Sequence, residues 1–387
     1  MRLRAALTLL LALPLVACGG AEEPTGDPNA LGTPSESPQP STRTARPAPD
    51  ETDGGGRSPS GDPADLEPRV VRTVAEGLQA PWGIVFLPDG SALVSERDTT
   101  RVVAVSPSGR VRPVGTVDEA APQGEAGLLG LAASPTYDED GLVFAYVSTA
   151  DDNRVVTMTY DGRELGEPDP VLTGIPNGFI HDGGRLLFDD EGMLFVSTGE
   201  IGEPELAQDP DSLGGKILRI TPDGDPAPGN PVPGSPVWTL GHRNVQGLAL
   251  DDRDRLWATE FGQQTWDELN RIERARNYGW PVVEGSGEQD EYRNPFVEWS
   301  TAEASPSGLA FLEGSLWAGA LRGERLWQVP VTGDGVGEPR GWFVGDYGRI
   351  RTVAVSPQGT LWVTTSNRDG RGEPQPGDDR ILELDLR

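Results

Sequence analysis

Between residues 81 and 367 the chain repeats one unit six times. The unit is a glycine or small residue, a short apolar strand, a tight turn, and a second apolar strand ending in Ser, Thr or another small residue. The copies are "PWGIVFLPDGSALVSE" from Pro81, "GLLGLAASPTYDEDGLVFAYVS" from Gly127, "GGRLLFDDEGMLFVSTGE" from Gly183, "VQGLALDDRDRLWATEFG" from Val245, "PSGLAFLEGSLWAGAL" from Pro306 and "IRTVAVSPQGTLWVTTSN" from Ile350. Alternation of apolar and polar residues around turns such as Asp89-Gly90 and Gln358-Gly359 is a hairpin signature. Gly83, Gly130, Gly184, Gly247, Gly308 and Thr352 hold equivalent places, 44 to 63 residues apart. That period suits one four-stranded blade plus loops of variable length. The chain therefore reads as an all-β, six-bladed β-propeller. A pair of β-sandwiches would give no reason for six similar units. The ring is expected to close by pairing a strand near Val70 to Val74 with "RILELDL", residues 380–386.

Composition agrees. The 51 glycines and 36 prolines are too many for a helical protein. The formal net charge of −29, with Lys216 the only lysine, repels phosphate backbones, so nucleic acid is not an expected partner. The start "MRLRAALTLLLALPLVACGG" has two arginines, an apolar stretch too short to span a membrane stably, and the only cysteine, Cys18. Leu15-Val16-Ala17-Cys18 resembles a bacterial lipobox. The resemblance implies a lipoprotein signal peptide over 1–17, lipidation of Cys18, and an extracytoplasmic protein anchored to the cell membrane by its acyl chains. Residues 18–67 are rich in Pro, Ser, Gly and acid and read as a disordered tether. The folded domain is placed at 68–387.

A propeller gathers its inner-strand entrances at one mouth of a central channel. The polar residues there are Glu125, His181 with Arg185, Arg243 with Asn244 and Gln246, Ser305 with Ser307, and Arg349 with Arg351. One histidine among several arginines suits a proton acceptor beside a polyanionic ligand.

The segments "LQAPWGIVFLPDGSALVSERD", "IHDGGRLLFDDEGMLFVSTGE", "DSLGGKILRITPDG", "GHRNVQGLALD", "DELNRIERARNYGWPVVEG" and "GRIRTVAVSPQGTLWVTTSNRDGRG" resemble the soluble PQQ-dependent sugar dehydrogenases, in the aldose sugar (glucose-sorbosone) dehydrogenase branch. The likeness covers nearly all of 75–385 in family order. It implies oxidation of aldoses at C1 to the lactone, with hydride passing to PQQ beside Ca²⁺. By that likeness His181 is the general base and Arg243 stabilises charge on the reduced cofactor. Asn244, Arg322, Arg349 and Arg351 contact the cofactor, the backbone carbonyls of Gly262 and Gln263 hold calcium, and Glu125 meets the substrate. Arg349 and Arg351, two apart on one strand, point to the same side.

The chain departs from the pattern at four places: Gln263 stands where proline is usual, Trp266 lies in a run usually rich in glycine, Glu200 stands for an aspartate, and Arg322 for a lysine. No haem-attachment motif is present, so electrons are expected to leave to a separate acceptor. A calcium-dependent lactonase-type hydrolase and a non-catalytic carbohydrate-binding propeller share the fold, but the arginine-rich entrances favour the dehydrogenase. The tryptophans, including Trp257, Trp317, Trp362 and Trp280, read as packing residues. His242 reads as a support for Arg243. The acidic loops at 367–372 and Asp378-Asp379 read as solvated turns rather than a second calcium site.

Overall fold

The computed structural model describes residues 62–387. The signal peptide, Cys18 and the tether up to residue 61 lie outside the described residues. The described chain forms six antiparallel sheets of four or five strands. The first blade runs Pro81–Phe86, Ala92–Glu96, Arg101–Val105 and Val111–Thr116 from axis to rim. The second begins at Leu128–Ala133, the third at Leu186–Phe188, the fourth at Val245–Leu250, the fifth at Pro306–Leu312 and the sixth at Ile350–Val355. These six inner strands touch one another in succession, and the sixth touches the first. The ring is closed by the strand Pro68–Ala75, which pairs with Ile381–Leu386, Val70 opposite Leu384. Residues 62–67, placed in the tether by composition, are ordered here. Asp62 caps a 3-10 turn at Pro63–Asp65, and the Pro63 carbonyl accepts from Gln328 Nε2 at 2.8 Å.

The second strand of every blade is buried on both faces, and strand alternation divides its side chains between two neighbours. In the fourth blade Leu256 and Ala258 face the third, while Trp257 faces the fifth. In the fifth, Leu316 and Ala318 face back and Trp317 faces the sixth. In the sixth, Leu361 and Val363 face back and Trp362 faces the first. Six apolar clusters result, one at each blade interface. The three tryptophans are at most 1% exposed. Burying a side chain of that size contributes on the order of 4–6 kcal/mol gross. They pack blades, as the sequence indicates.

The repeated glycines mark places where inner strands meet backbone to backbone. A Cβ on Gly130 would lie 2.2 Å from the Gly184 carbonyl oxygen, and one on Gly247 2.3 Å from that of Ser307. The Ser or Thr ending the second strand stitches the same contact. Ser197 Oγ accepts from Arg185 N–H at 2.9 Å and donates to Val245 O in the next blade at 2.8 Å. Thr259 Oγ1 likewise donates to Ser307 O at 2.7 Å. At the last interface Thr352 itself replaces glycine, and its hydroxyl donates to the Trp82 carbonyl.

Candidate active site

His181 sits in the loop before the third blade's inner strand, with a left-handed φ of +60°. That conformation is uncommon for a non-glycine residue and costs on the order of 1 kcal/mol or more. Gly183 and Gly184 continue the left-handed path at +67° and +104°. A Cβ on Gly199 would lie 1.8 Å from the His181 carbonyl oxygen, so the end of the second strand presses directly on this loop. The glycines around His181 are thus required by close approach.

Residues of the second and fourth blades hold the loop in place. Glu125, at the second blade's entrance, accepts the His181 N–H at 3.0 Å and Asn244 Nδ2 at 3.3 Å through one oxygen. Its other oxygen accepts Arg371 Nη1 at 2.8 Å. Burial opposes its ionisation, but Arg371 and the His181 N–H hold its carboxyl below the usual range. Asn244 Oδ1 accepts the Gly183 N–H at 3.0 Å.

The imidazole is fixed by Glu200, whose Oε1 is hydrogen-bonded to His181 Nδ1. Glu200 Oε2 is buried and has no partner among the described residues. The Glu200 N–H donates to the Arg243 carbonyl at 2.9 Å, so one residue ties base and guanidinium segments together. Arg243 lies 5.4 Å from the Trp280 ring centroid, donates from Nη1 to Phe261 O at 3.2 Å, and has a buried Nε with no partner. Burial lowers its pKa, against the pull of Glu200, Glu125, Glu260 and Glu284. Behind it His242 is fully buried, bonded to Glu260 Oε2 at 2.8 Å and Thr239 Oγ1 at 2.9 Å, and stacked on Tyr278. Glu260 also accepts the Arg243 N–H. His242 therefore does support Arg243.

Arg349 and Arg351 share a face, as their spacing requires, but both meet Asp369: its Oδ2 lies 3.0 Å from Arg349 Nη2 and 3.4 Å from Arg351 Nη2. Burial disfavours the Asp369 anion, yet the two arginines hold its pKa down. The solvated-turn reading of 367–372 is corrected here, because two buried guanidiniums require a counter-charge. Asp378 and Asp379 are also buried rather than solvated, 2% and 0% exposed, and they accept from Asn367, Gln375, Arg380 and Ala80.

Arg185, Gln246, Ser307 and Arg351 are buried and interlock: Arg185 Nε donates to Gln246 O at 2.9 Å, and Arg351, which also meets Asp369, reaches Gln246 Oε1 at 3.2 Å and Ser307 Oγ at 3.4 Å. Arg185 lies over Trp82, 4.3 Å from its centroid. Burial depresses Arg185 to about 9 and Arg351 to about 10. Ser305 caps the fifth entrance, its N–H donating to Asp267 Oδ2 at 2.5 Å. Arg322 is exposed and makes no ion pair among the described residues. The Gly262 N–H donates to Asp267 Oδ1 at 2.9 Å, and Gln263 is exposed.

Sequence reasoning at the inner-strand entrances missed Arg97, Glu260, Glu284, Asp369 and Arg371. Most of these follow the second strands. An antiparallel hairpin returns that end to the mouth, so its exits deserve the same reading as the entrances. Arg97 donates to Asp98 at 2.6 Å and to Asp369 O at 3.2 Å. With Gln123, Arg371 and the 65%-exposed Phe179 it lines a recess at the mouth. A larger recess between the third and fourth blades, under Trp238, opens where Arg219, Arg255 and Arg271 are each already paired with a carboxylate.

The family model "Glucose / Sorbosone dehydrogenase" matches residues 78–373. Aldose sugar dehydrogenase YliI of Escherichia coli K12 is 30% identical over 339 residues, covering 78% of this chain and 91% of that protein. Quinoprotein glucose dehydrogenase B of Acinetobacter calcoaceticus is 29% identical over 60% of this chain and 56% of its own length. The PQQ-bound aldose sugar dehydrogenase of Streptomyces coelicolor superposes with a TM-score of 0.82 at 54% identity, over 84% of this chain and 100% of that one.

Proposed function

This chain belongs to the glucose/sorbosone dehydrogenase family, and from that premise we propose that it oxidises aldose sugars at C1 to the lactone, using PQQ and calcium. The observation that carries the reading is an imidazole with one nitrogen held and the other open. Glu200 takes the Nδ1–H of His181, which leaves the Nε2 lone pair without a partner among the described residues. A base so oriented accepts the proton of the anomeric hydroxyl, and the Glu200 carboxylate stabilises the imidazolium that forms.

The residues present fit the cofactor. Arg243 Nε is a buried donor with nothing to bind, which suits a carbonyl or phenolate oxygen that gains charge. The carbonyls of Gly262 and Gln263 accept no hydrogen bond among the described residues, and paired oxygens suit a hard cation. When bound, PQQ supplies the two-electron acceptor for the sugar's hydride and calcium polarises its quinone. Arg243 and Arg322 would hold the cofactor, while Asn244, fully buried with its amide on Glu125 and Gly183, would act on it only through the loop it braces. Arg349 and Arg351 would reach its carboxylates only by sharing Asp369, which both already contact. Glu125 would meet the sugar at its edge, since its side chain is 11% exposed and its oxygens already hold His181 and Asn244. We further propose that Cys18 anchors the chain by lipid outside the cytoplasm, and that electrons leave to a separate acceptor.

The test is dye reduction by the full-length protein with a panel of aldoses, with and without PQQ and calcium. Reduction that needs sugar, PQQ and calcium together supports the reading. An inert protein that also fails to bind PQQ sinks it. Replacing Cys18 with Ser should release the protein into the soluble fraction.

A further inference from the structure

The loop 261–266, "FGQQTW", joins the second and third strands of the fourth blade beside Arg243. Four successive backbone N–H groups in it converge on one atom. Gln263, Gln264, Thr265 and Trp266 donate to Glu284 Oε1 at 2.7, 2.8, 2.9 and 3.3 Å. Such a run of amides around one carboxylate oxygen is an anion nest supplied with its own anion. Burial works against the charge on Glu284, but the four amides outweigh it and hold the carboxyl below its usual range.

The consequence lies on the other side of each peptide. A trans peptide is planar, so an N–H aimed at Glu284 turns the preceding carbonyl away from it. The carbonyls so turned belong to Gly262, Gln263, Gln264 and Thr265. The last two find donors, Gln264 O from Thr301 Oγ1 and Thr265 O from Thr301 N, both at 3.3 Å. Those of Gly262 and Gln263 find none among the described residues. The winding also requires glycine at 262, where a Cβ would lie 1.8 Å from Trp266 O and 2.9 Å from Glu284 Oε1. The glutamine at 263 takes part as well. A proline there would have no N–H to give, whereas Gln263 makes the shortest of the four bonds.

We propose that Glu284 is a positioning residue for a divalent cation. By gathering the amides of 263–266 it presents the Gly262 and Gln263 carbonyls as a preset pair of oxygen ligands. The inference rests on the reading that these two carbonyls serve calcium beside PQQ. It adds what holds them in place, and why the loop keeps its form with Gln263 and Trp266 in it.

The experiment titrates calcium into full-length wild type, Glu284→Ala and Glu284→Gln, each with PQQ, and follows the absorbance of bound PQQ rather than turnover. Loss of a group that orients metal ligands typically weakens metal affinity by about 10–100-fold. Glu284→Ala should therefore need at least about tenfold more calcium for half-saturation. Glu284→Gln, which keeps an acceptor without the charge, should fall between. The melting temperature of the calcium-free proteins should barely move, and saturating calcium should restore binding. If Glu284→Ala fails to fold, Glu284→Gln alone decides. Variants that titrate like a responsive wild type overturn the role of Glu284 and leave the calcium reading standing. A wild type with no calcium-dependent PQQ binding overturns both.

Discussion

The mouth of the channel and the layer just beneath it use the same residue types to opposite ends. Below, Arg185, Gln246, Ser307 and Thr352 satisfy one another around Trp82. Above, Arg243 keeps a buried Nε without an acceptor and Glu200 keeps a buried oxygen without a donor. Arginine content does not separate a structural plug from a reactive site. Between these two layers the difference is unfilled hydrogen-bonding capacity, since a buried polar group left alone costs about 1–3 kcal/mol unless a ligand completes it.

The sharpest way to test that contrast is to change one residue from each layer. His181→Ala removes the open imidazole, and a positioned base contributes roughly 10²–10⁴-fold to rate. We expect kcat to fall by that factor; the urea midpoint should also drop, because the buried Glu200 is left without a partner, and Glu200→Gln added to it should recover part of that drop but not kcat. Arg185→Met should leave kcat alone and lower stability. It leaves the Gln246 carbonyl without its donor and removes the cation over Trp82, at a cost of about 1–3 kcal/mol. Its urea midpoint should drop accordingly. If Arg185→Met abolished turnover at full stability, the plug would belong to the site and the contrast would fail.

The contrast also shows what a sequence can carry. The blade count, the closing strand and the inward tryptophans follow from period and alternation, which are local properties. Glycine at 130 and 247 reports a backbone contact, so the repeat itself encodes the ring. His181 was legible as a histidine among the arginines that precede the inner strands. The bonds from Arg351 to Gln246 and Ser307 were not, since they join residues 105 and 44 apart in the chain. Nor was the partner of Arg349, because Asp369 stands 20 residues away in a stretch that looks like any acidic turn. Long-range pairing of charges has no periodic signature.

Buried carboxyls behind the mouth set a pH dependence that the plug does not share. Glu260, Glu268 and Glu298 stand in register on adjacent strands of the fourth blade. Burial, with Glu260 next to it, raises Glu268 to about 8. A raised acid binds a proton in the native state that the unfolded chain releases. Its contribution to stability is therefore full below the unfolded value near 4.5 and is lost as pH rises through about 8. Glu268→Gln should remove that loss, so its melting temperature relative to wild type should climb between pH 5 and 9. A constant difference across that range would mean that Glu268 is ionised throughout.

The smallest expected effect tests whether the plug also holds the ring shut. Thr352 lies where the sixth blade meets the first, the junction completed by the strand Pro68–Ala75. Its hydroxyl donates to the Trp82 carbonyl, and its N–H donates to Thr364 Oγ1 at 3.0 Å. Thr352→Val keeps the shape and removes only the hydroxyl, leaving that carbonyl unpaired at a cost of about 1–3 kcal/mol. Thr352→Ser keeps the hydroxyl and should cost less. Ser197→Ala breaks the equivalent stitch between the third and fourth blades, where the chain is continuous. Equal losses in the two places would mean that each stitch acts only on its own interface. Hydrogen exchange that speeds up first in Pro68–Ala75 for Thr352→Val, and not for Ser197→Ala, would show that the ring opens at its non-covalent seam, where this threonine takes the place of the repeated glycine.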